Sequence, residues 1–457
     1  MSIKKESGVE WIGKIPKHWK VERLKNSVEN SRNGVWGEEP KGNKLDYPCV
    51  RVADFDRDNL SVQNKELTIR NIEMSNIESV LLVHGDLLIE KSGGGEKQPV
   101  GFVVQYTKNH PAVYANFIAK LSINDKIAVS GYLKYLHATL YNQGLTKRSI
   151  KQTTGIQNLD LQSYLNEIVV YPNISEQSII ANYLDQKTSE IDKLIADKEK
   201  LIELLKEKRQ AIITETVTKG LNPNVKMKDS GMEWLGEIPE HWKTSKVKYT
   251  TYVKGRIGWQ GLRFEEFVDE GPYLITGMHF KNDSVNWEAC YHISQERYEE
   301  APEIQIKEGD LLLTKDGTIG KLAYINYLPG KASLNSHLLV MRPSKNLYKN
   351  KFMYWYMKSI SFINFININQ SGTTFAGISQ QSIENLSFPL PGLEEQEKIV
   401  NHLDNEISMV NKSIEMVSEQ INKLKEYRQS LIYEAVTGKI DVQEMMNEAG
   451  QEEVPSS

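Results

Sequence analysis

Residues 8–20 read GVEWIGKIPKHWK, and residues 231–243 read GMEWLGEIPEHWK. Trp11, Gly13, Ile15, Pro16, His18, Trp19 and Lys20 return in step as Trp234, Gly236, Ile238, Pro239, His241, Trp242 and Lys243. The chain therefore contains a repeat with a period of about 223 residues. Short periods mark solenoids, but this one is the size of a whole domain. The fold question becomes why one polypeptide carries two similar domains when a homodimer would supply them from a shorter chain.

A second pair of stretches suggests what joins the domains. Residues 176–219, beginning EQSIIANYLD, contain neither Gly nor Pro and are rich in helix formers. Residues 395–437, beginning EQEKIVNHLD, repeat the outline with an offset of 219. Ser175 is the expected N-cap of the first helix and Gly220 its stop, while Pro172 and Pro391 precede the two helices. Leu403, Ile407, Val410, Ile414, Val417, Ile421, Leu424, Arg428 and Leu431 alternate by four and three, the heptad spacing of a coiled coil. Leu184, Thr188, Ile191, Ile195, Lys198, Ile202, Leu205, Arg209 and Ile212 keep the same register.

Leu194, Leu201, Leu204, Met409, Met416 and Ile432 lie beside these seams and widen the apolar stripe. A stripe that wide exceeds what one neighbour covers, so a further partner surface is expected there. Each helix of about 43 residues would be roughly 65 Å long and must pack on something. An antiparallel pair is the economical solution. The chain would leave the first helix at its far end, build the second domain there and return along the second helix.

The bodies at about residues 9–172 and 232–391 read as mixed α/β. HGDLLIEKSGGG (84–95) and EGDLLLTKDGTIG (308–320) are matching buried strands that end in Gly-rich turns. GFVVQY (101–106) and LAYINY (322–327) follow as strands, and helices are expected over 130–144 and 350–366. Between these landmarks the halves diverge almost completely, as two related binders of different targets would.

Composition narrows the class. Of 457 residues, 39% are hydrophobic and 25% charged, a soluble globular profile. No apolar run approaches the roughly 20 residues that span a bilayer, so no membrane is expected as a partner. The start, MSIKKESGVEW, does not read as a secretory signal. Cys49 and Cys290, the only cysteines, lie in different halves, which points to a reducing cytoplasm.

The net charge of −4 argues against nucleic acid until its distribution is read. Lys97, Lys108, Lys120, Lys126, Lys134, Lys147, Arg148 and Lys151 share their zone with a single acid, Asp125. Lys315, Lys321, Lys331, Arg342, Lys345, Lys349, Lys351 and Lys358 share theirs with Asp316 alone. The acid excess lies mostly beyond residue 393. Two basic zones at matching places suggest two polyanion-binding faces.

No catalytic constellation emerges. The chain has no GxSxG elbow, no HExxH, no dinucleotide-binding GxGxxG after a strand and no Cys/His cluster with metal-ligand spacing. KSGGGEK (91–97) lacks the phosphate-loop spacing and reads as a hairpin turn. KDGTIGK (315–321) is its counterpart, a turn able to approach a nucleic-acid backbone. His18 and His241 lack a recurring acid at useful spacing and read as part of a structural clasp. Tyr106, Tyr114, Tyr132, Tyr135, Tyr348, Tyr354 and Trp355 read as core filling.

Polar side chains able to pair with bases and phosphates remain in two places of each half. The first half offers Lys91, Ser92 and Lys97 on its Gly-rich turn, and Lys147, Arg148, Lys151, Gln152 and Thr153 in a loop at 146–155. The second offers Lys315, Thr318 and Lys321 on its turn, and Asn369, Gln370, Thr373 and Thr374 in a loop at 368–377.

Taken together, WIGKIPKHWK, WLGEIPEHWK, the two GDLL phrases and FPLPGLEEQEKIVNHLD resemble the specificity subunit of type I restriction–modification systems over nearly the whole chain. PNISEQSIIANYLD is the weaker first-half counterpart, departing from the PLPPLEEQ-like phrase of such proteins. The resemblance implies an α+β protein: two mixed α/β target-recognition domains separated by two long helices packed as an antiparallel coiled coil. The domains would be residues 1–174 and 221–392, the helices 175–220 and 393–440, and 441–457 an acidic, disordered tail.

It further implies an asymmetric bipartite site on double-stranded DNA, one half read by each domain. The helices would serve as ruler and as docking surface for two methyltransferase subunits, and through them for restriction/translocase subunits. S-adenosylmethionine and ATP belong to those subunits; this chain would be non-catalytic and need no cofactor. Two halves of one chain can read two different sequences, which a homodimer cannot. The competing expectation is a coiled-coil adapter whose end domains bind proteins or glycans.

Overall fold

The computed structural model describes residues 3–153, 155–256, 262–369 and 377–445. It divides into two compact units, Met1–Asp197 with Gln420–Ser457, and Lys198–Glu419. Both divisions fall inside the long helices, so each unit owns a stretch of each.

In the first unit a six-stranded sheet has the spatial order Val28–Asn33, Ile118–Ile123, Leu87–Glu90, Val103–Gln105, Ser61–Val62, Phe55–Asp56. Its centre is the LLIE phrase, buried at all four positions as a strand covered on both faces requires. A three-stranded sheet places Asp46–Val50 between Val113–Tyr114, to which it is parallel, and Thr68–Asn71. The expected helix forms over Ser130–Asn142 and is tied to the sheet where Gln105 Nε2 donates to Ser130 Oγ (3.0 Å). Residues 146–155 are not the expected loop. A helical turn, Leu145–Ser149, leads into a hairpin of Ile150–Thr153 and Ile156–Leu159. Tyr106, Tyr114, Tyr132 and Tyr135 are buried, as core filling requires.

The second unit repeats the frame. Its four-stranded sheet has the order Thr251–Gly255, Leu338–Pro343, Leu311–Thr314, Leu322–Tyr324, and LLLT is again wholly buried. Its three-stranded sheet places Phe267–Ile275 between Tyr291–Ile293 and the parallel Ala332–Leu334. The helix expected over 350–366 is two helices, Asn350–Met357 and Ile360–Asn369. Buried Ser359 separates them: its Oγ donates to Tyr356 O (2.6 Å) and accepts from Phe362 N (3.4 Å). A serine competing for backbone groups ends one helix and starts the next. Tyr348, Tyr354 and Trp355 are buried in this unit.

The long helices are Ile174–Lys219 and Leu393–Val436. The first starts before its expected cap: Asn173 Oδ1 accepts from Glu176 N (2.9 Å), so Ser175 lies inside the helix. Gly220, at φ +77°, stops it as expected. The second ends at Val436, short of residue 440, just before Gly438 at φ +69°. Every seam position is buried or half-buried. Within the first unit Asp192 meets Arg428 of the second helix and Tyr183 meets Met445 beyond that helix's end, so the chain runs in opposite senses along the pair. Thr188 is accommodated in that seam by donating to Leu184 O (2.7 Å). Of residues 441–457, the stretch 441–445 is described and Val442 is buried; the disorder expected of 446–457 falls outside the described residues. Among the described residues no helix is long and apolar enough to cross a membrane.

Candidate nucleic-acid interface

Each body is clamped to a long helix by the Glu-Gln pair that opens it. Glu176 Oε1 accepts from Trp19 Nε1 (2.9 Å) while Oε2 meets His18 Nε2 (2.8 Å). Glu395 Oε2 meets His241 Nε2 (3.1 Å) in the same way. The histidines thus belong to a clasp, and its acid does recur. It went unrecognised because 158 and 154 residues separate the partners; the repeated Glu-Gln at the helix starts was the available signal. The glutamines act alike. Buried Gln177 accepts from Val129 N (3.0 Å) and donates to Ile127 O and Pro172 O (2.8 and 3.0 Å). Gln396 accepts from Lys349 N (2.8 Å) and donates to Leu347 O and Pro391 O (3.1 and 2.8 Å). Each glutamine satisfies backbone groups that would otherwise be costly to bury.

On this frame the Gly-rich turn of each half meets the chain at or just after the end of its second polar segment. In the first unit Lys91 N donates to Phe117 O and Leu159 N donates to Lys91 O, both at 2.8 Å, and Ser92 bridges to Asn158. In the second, Lys315 N donates to His337 O (2.9 Å), Ile378 N donates to Lys315 O (2.8 Å), and Asp316 bridges to Gly377. The Gly-rich turn and the segment that follows the body's helices therefore share one edge in both units.

The predicted residues differ in their surroundings. Lys91 Nζ donates to Asn33 Oδ1 (2.8 Å) and Ser92 Oγ to Asn158 Oδ1 (2.6 Å). Lys97, Lys147 and Gln152 are exposed; the side chain of Thr153 lies outside the description. Arg148 approaches Glu167 at 3.9 Å, and Lys151 pairs with Asp160 at 2.6 Å. Lys315 lies 3.8 Å from Asp316, and Thr318 and Lys321 are exposed around Thr314, whose Oγ1 accepts from Lys321 N (2.9 Å). Asn369 ends its helix by donating to Phe365 O (2.9 Å). Gln370, Thr373 and Thr374 fall outside the described residues.

An open cleft adjoins the turn in each unit. The first is lined by Ala53, Arg57, Ser92, Lys97 and Phe117, with Arg57 paired to Glu90 (2.6 Å) at its side. Burial pushes the Glu90 carboxyl up, against the pull of Arg57. The second is lined by Met278, Tyr291, Thr318, Lys321 and His337, with His337 Nδ1 3.2 Å from Asp316 Oδ2.

The basic zones are less free than the sequence suggested. Lys134 pairs with Asp185 (2.7 Å), and Lys351 pairs with Asp404 (2.6 Å), the acid 219 residues on from Asp185. Both lysines face the long helices. Lys120, Arg342, Lys349 and Lys358 are likewise taken up by Asp86, Asp310, Glu397 and Asp283. Much of the positive charge is therefore structural, and Lys97, Lys126 and Lys147 are the exposed lysines of the first zone with no acidic partner among the described residues.

Beside the helix seams, Leu194, Leu201, Leu204, Met409 and Met416 are 43–61% exposed. Ile432, predicted with them, is only 3% exposed: it is consumed by the interior of the first unit and offers nothing to a partner.

Comparison with known proteins is consistent across the chain. Residues 257–425 match the family described as the type I restriction modification DNA specificity domain. A Methanocaldococcus jannaschii protein bearing the name of the type I restriction enzyme MjaX specificity subunit is 26% identical, covering 94% of this chain and 96% of its own. The MjaVIII specificity subunit of the same organism is 25% identical over 94% and 95%. The EcoKI specificity subunit of Escherichia coli is 22% identical over 94% and 91%. Among solved structures, a chain from work on complex assembly and conformational transition of the type I R-M system aligns over 93% of this chain and 99% of its own, with a TM-score of 0.72 at 15% identity. The HsdS subunit from Thermoanaerobacter tengcongensis aligns over 93% and 98%, with a TM-score of 0.56 at 14% identity. These two likenesses establish the fold.

Proposed function

We propose that the chain is a specificity subunit of the type I restriction–modification kind, a non-catalytic DNA-recognition component, and that it reads an asymmetric, bipartite site on double-stranded DNA; the likeness to such subunits over nearly the whole chain supports this. The body within residues 1–174 reads one half and the body within 221–392 the other. The observation that carries this reading is the duplicated edge itself. The same backbone bonds hold Lys91 to Phe117 and Lys315 to His337, yet the side chains on the two edges differ. A shared frame with unlike surfaces suits two readers of two sequences.

The exposed Leu194, Leu201, Leu204, Met409 and Met416 support docking of two methyltransferase subunits along the helices, and of restriction/translocase subunits through them. S-adenosylmethionine and ATP would be bound by those subunits. A cytoplasmic location goes with that reading. The test is to map methylated motifs in a host supplied with the methyltransferase subunits, with and without this chain. A two-part motif should appear only when the chain is present. The same motif without the chain would refute the proposal.

A further inference from the structure

We infer that Phe117 in one unit and Met278 with His337 in the other are specificity-determining side chains, each meeting base edges of its own half-site. This rests on the DNA-reading proposal above and deepens it to named residues.

The argument starts from backbone equivalence. Val50 O accepts from Ala115 N, and Ile275 O accepts from Asn335 N, at 2.9 and 3.0 Å. Counting outward from these bonds, Ala53 stands where Met278 does and Phe117 where His337 does. The turn containing Ala53 is closed where Arg51 N donates to Asp54 Oδ2 (2.8 Å). The turn containing Met278 is closed where Thr276 N donates to His279 Nδ1 (3.1 Å). The two clefts are thus one construction made twice: each rim hangs on the same backbone bond, and each turn is closed by the side chain three residues on.

Against that constancy the side chains at these positions change, Ala53 to Met278 and Phe117 to His337. Phe117 is 52% exposed and Met278 78% exposed, although both are apolar and belong to ordered, well-bonded turns. Neither is needed to fill a core. Large apolar groups left in water beside a polar turn mark a contact surface. On DNA they suit the thymine methyl group or a wedge against a base step. His337, held by Asp316 at 3.2 Å, offers its second ring nitrogen to a base edge. Ser92, at the position of Asp316, is already engaged with Asn158 (2.6 Å). The first rim therefore reads through an aromatic face, and the second through a thioether and an oriented imidazole.

The test uses the full chain with its methyltransferase subunits, after the parent motif has been mapped by sequencing methylated bases. Phe117→Ala should relax discrimination by roughly tenfold at one or more positions of one half-motif, the order expected for a lost base contact. Met278→Ala and His337→Asn should relax only the other half. Val83→Ala and Tyr327→Ala, at exposed positions outside both clefts, serve as controls and should leave both halves unchanged. Every variant should melt with the parent, since the side chains are exposed. Cleft variants that preserve the motif and its relative methylation rates would overturn the inference. So would variants that lose methylation only together with their melting transition. Absence of any two-part motif with the parent chain would instead sink the specificity-subunit proposal itself.

Discussion

Arg428 and Asp192 form an ion pair at 3.0 Å between the two long helices; Arg209, 219 residues before Arg428, donates at 2.8 Å to Asn411, 219 residues after Asp192. Arg428 occupies a seam position where heptad logic calls for an apolar residue. It is tolerated because its guanidinium also donates to Asp58 O, on the segment that lines the first cleft. A polar pair inside an apolar seam fixes register, since any slip would strand a charge. Asp192→Ala should cost about 2 kcal/mol by leaving Arg428 short of an acceptor. Asp192→Asn, which copies the pairing of the second unit, should cost under about 1 kcal/mol. A double-mutant cycle with Arg428→Ala checks this; a coupling near zero would show that the pair is incidental.

The two clasps should differ in strength. Trp19 Nε1 is bonded to Glu176, whereas the buried Trp242 Nε1 has no hydrogen-bond partner among the described residues. Glu176→Ala should therefore cost about 1–3 kcal/mol by orphaning a buried donor. Glu395→Ala removes only the bond to the exposed His241 and should cost less than about 1 kcal/mol. Denaturant midpoints of the full-length chain, followed by tryptophan fluorescence, measure both.

His137 supplies a pH dependence. It is fully buried, with Nδ1 2.7 Å from Tyr164 OH, and burial lowers its pKa to about 3. The unfolded imidazole titrates near 6.5. A lowered folded value means the stabilisation is complete above about pH 6.5 and is lost progressively as pH falls from there towards 3. Between pH 7.5 and 5.5 the loss should be about 1 kcal/mol. His137→Gln should flatten that part of the stability profile, and an unchanged profile would mean that other groups carry it.

Much of the architecture was legible because it depends on local spacing. The heptad seams, the GDLL strands and the Gly220 stop each reside in a few contiguous residues. What escaped the sequence depends on partners far along the chain. Glu176 with His18, Lys134 with Asp185 and Lys351 with Asp404 are separated by 50 to 160 residues, so an apparent basic zone could not be told from a set of internal ion pairs. The break at Ser359 is hidden in the sequence because a nearly continuous apolar and aromatic run surrounds one buried hydroxyl. Ile432 was misassigned for a related reason: periodicity shows that a position faces inward or beside a seam, not whether another element already covers it.

If the long helices set the distance between half-sites, their length should be read out in the motif. Four residues inserted near Lys198 add about 6 Å, close to the roughly 6.8 Å spanned by two base pairs. The insertion is also a stutter in the heptad pattern, so a matching insertion near Val417 should be needed for activity. Cells carrying the double insertion should methylate the same two half-sites with a gap one or two pairs longer. An active complex with the original gap would show that the helices are not the ruler.

The central claim, that two halves of one chain read two unlike sequences, is met most directly by exchanging residues 9–172 for the corresponding body of a relative and mapping the methylated motif. The account predicts that one half of the motif changes to that of the donor while the other half is retained. A motif altered in both halves, or in neither, would contradict it.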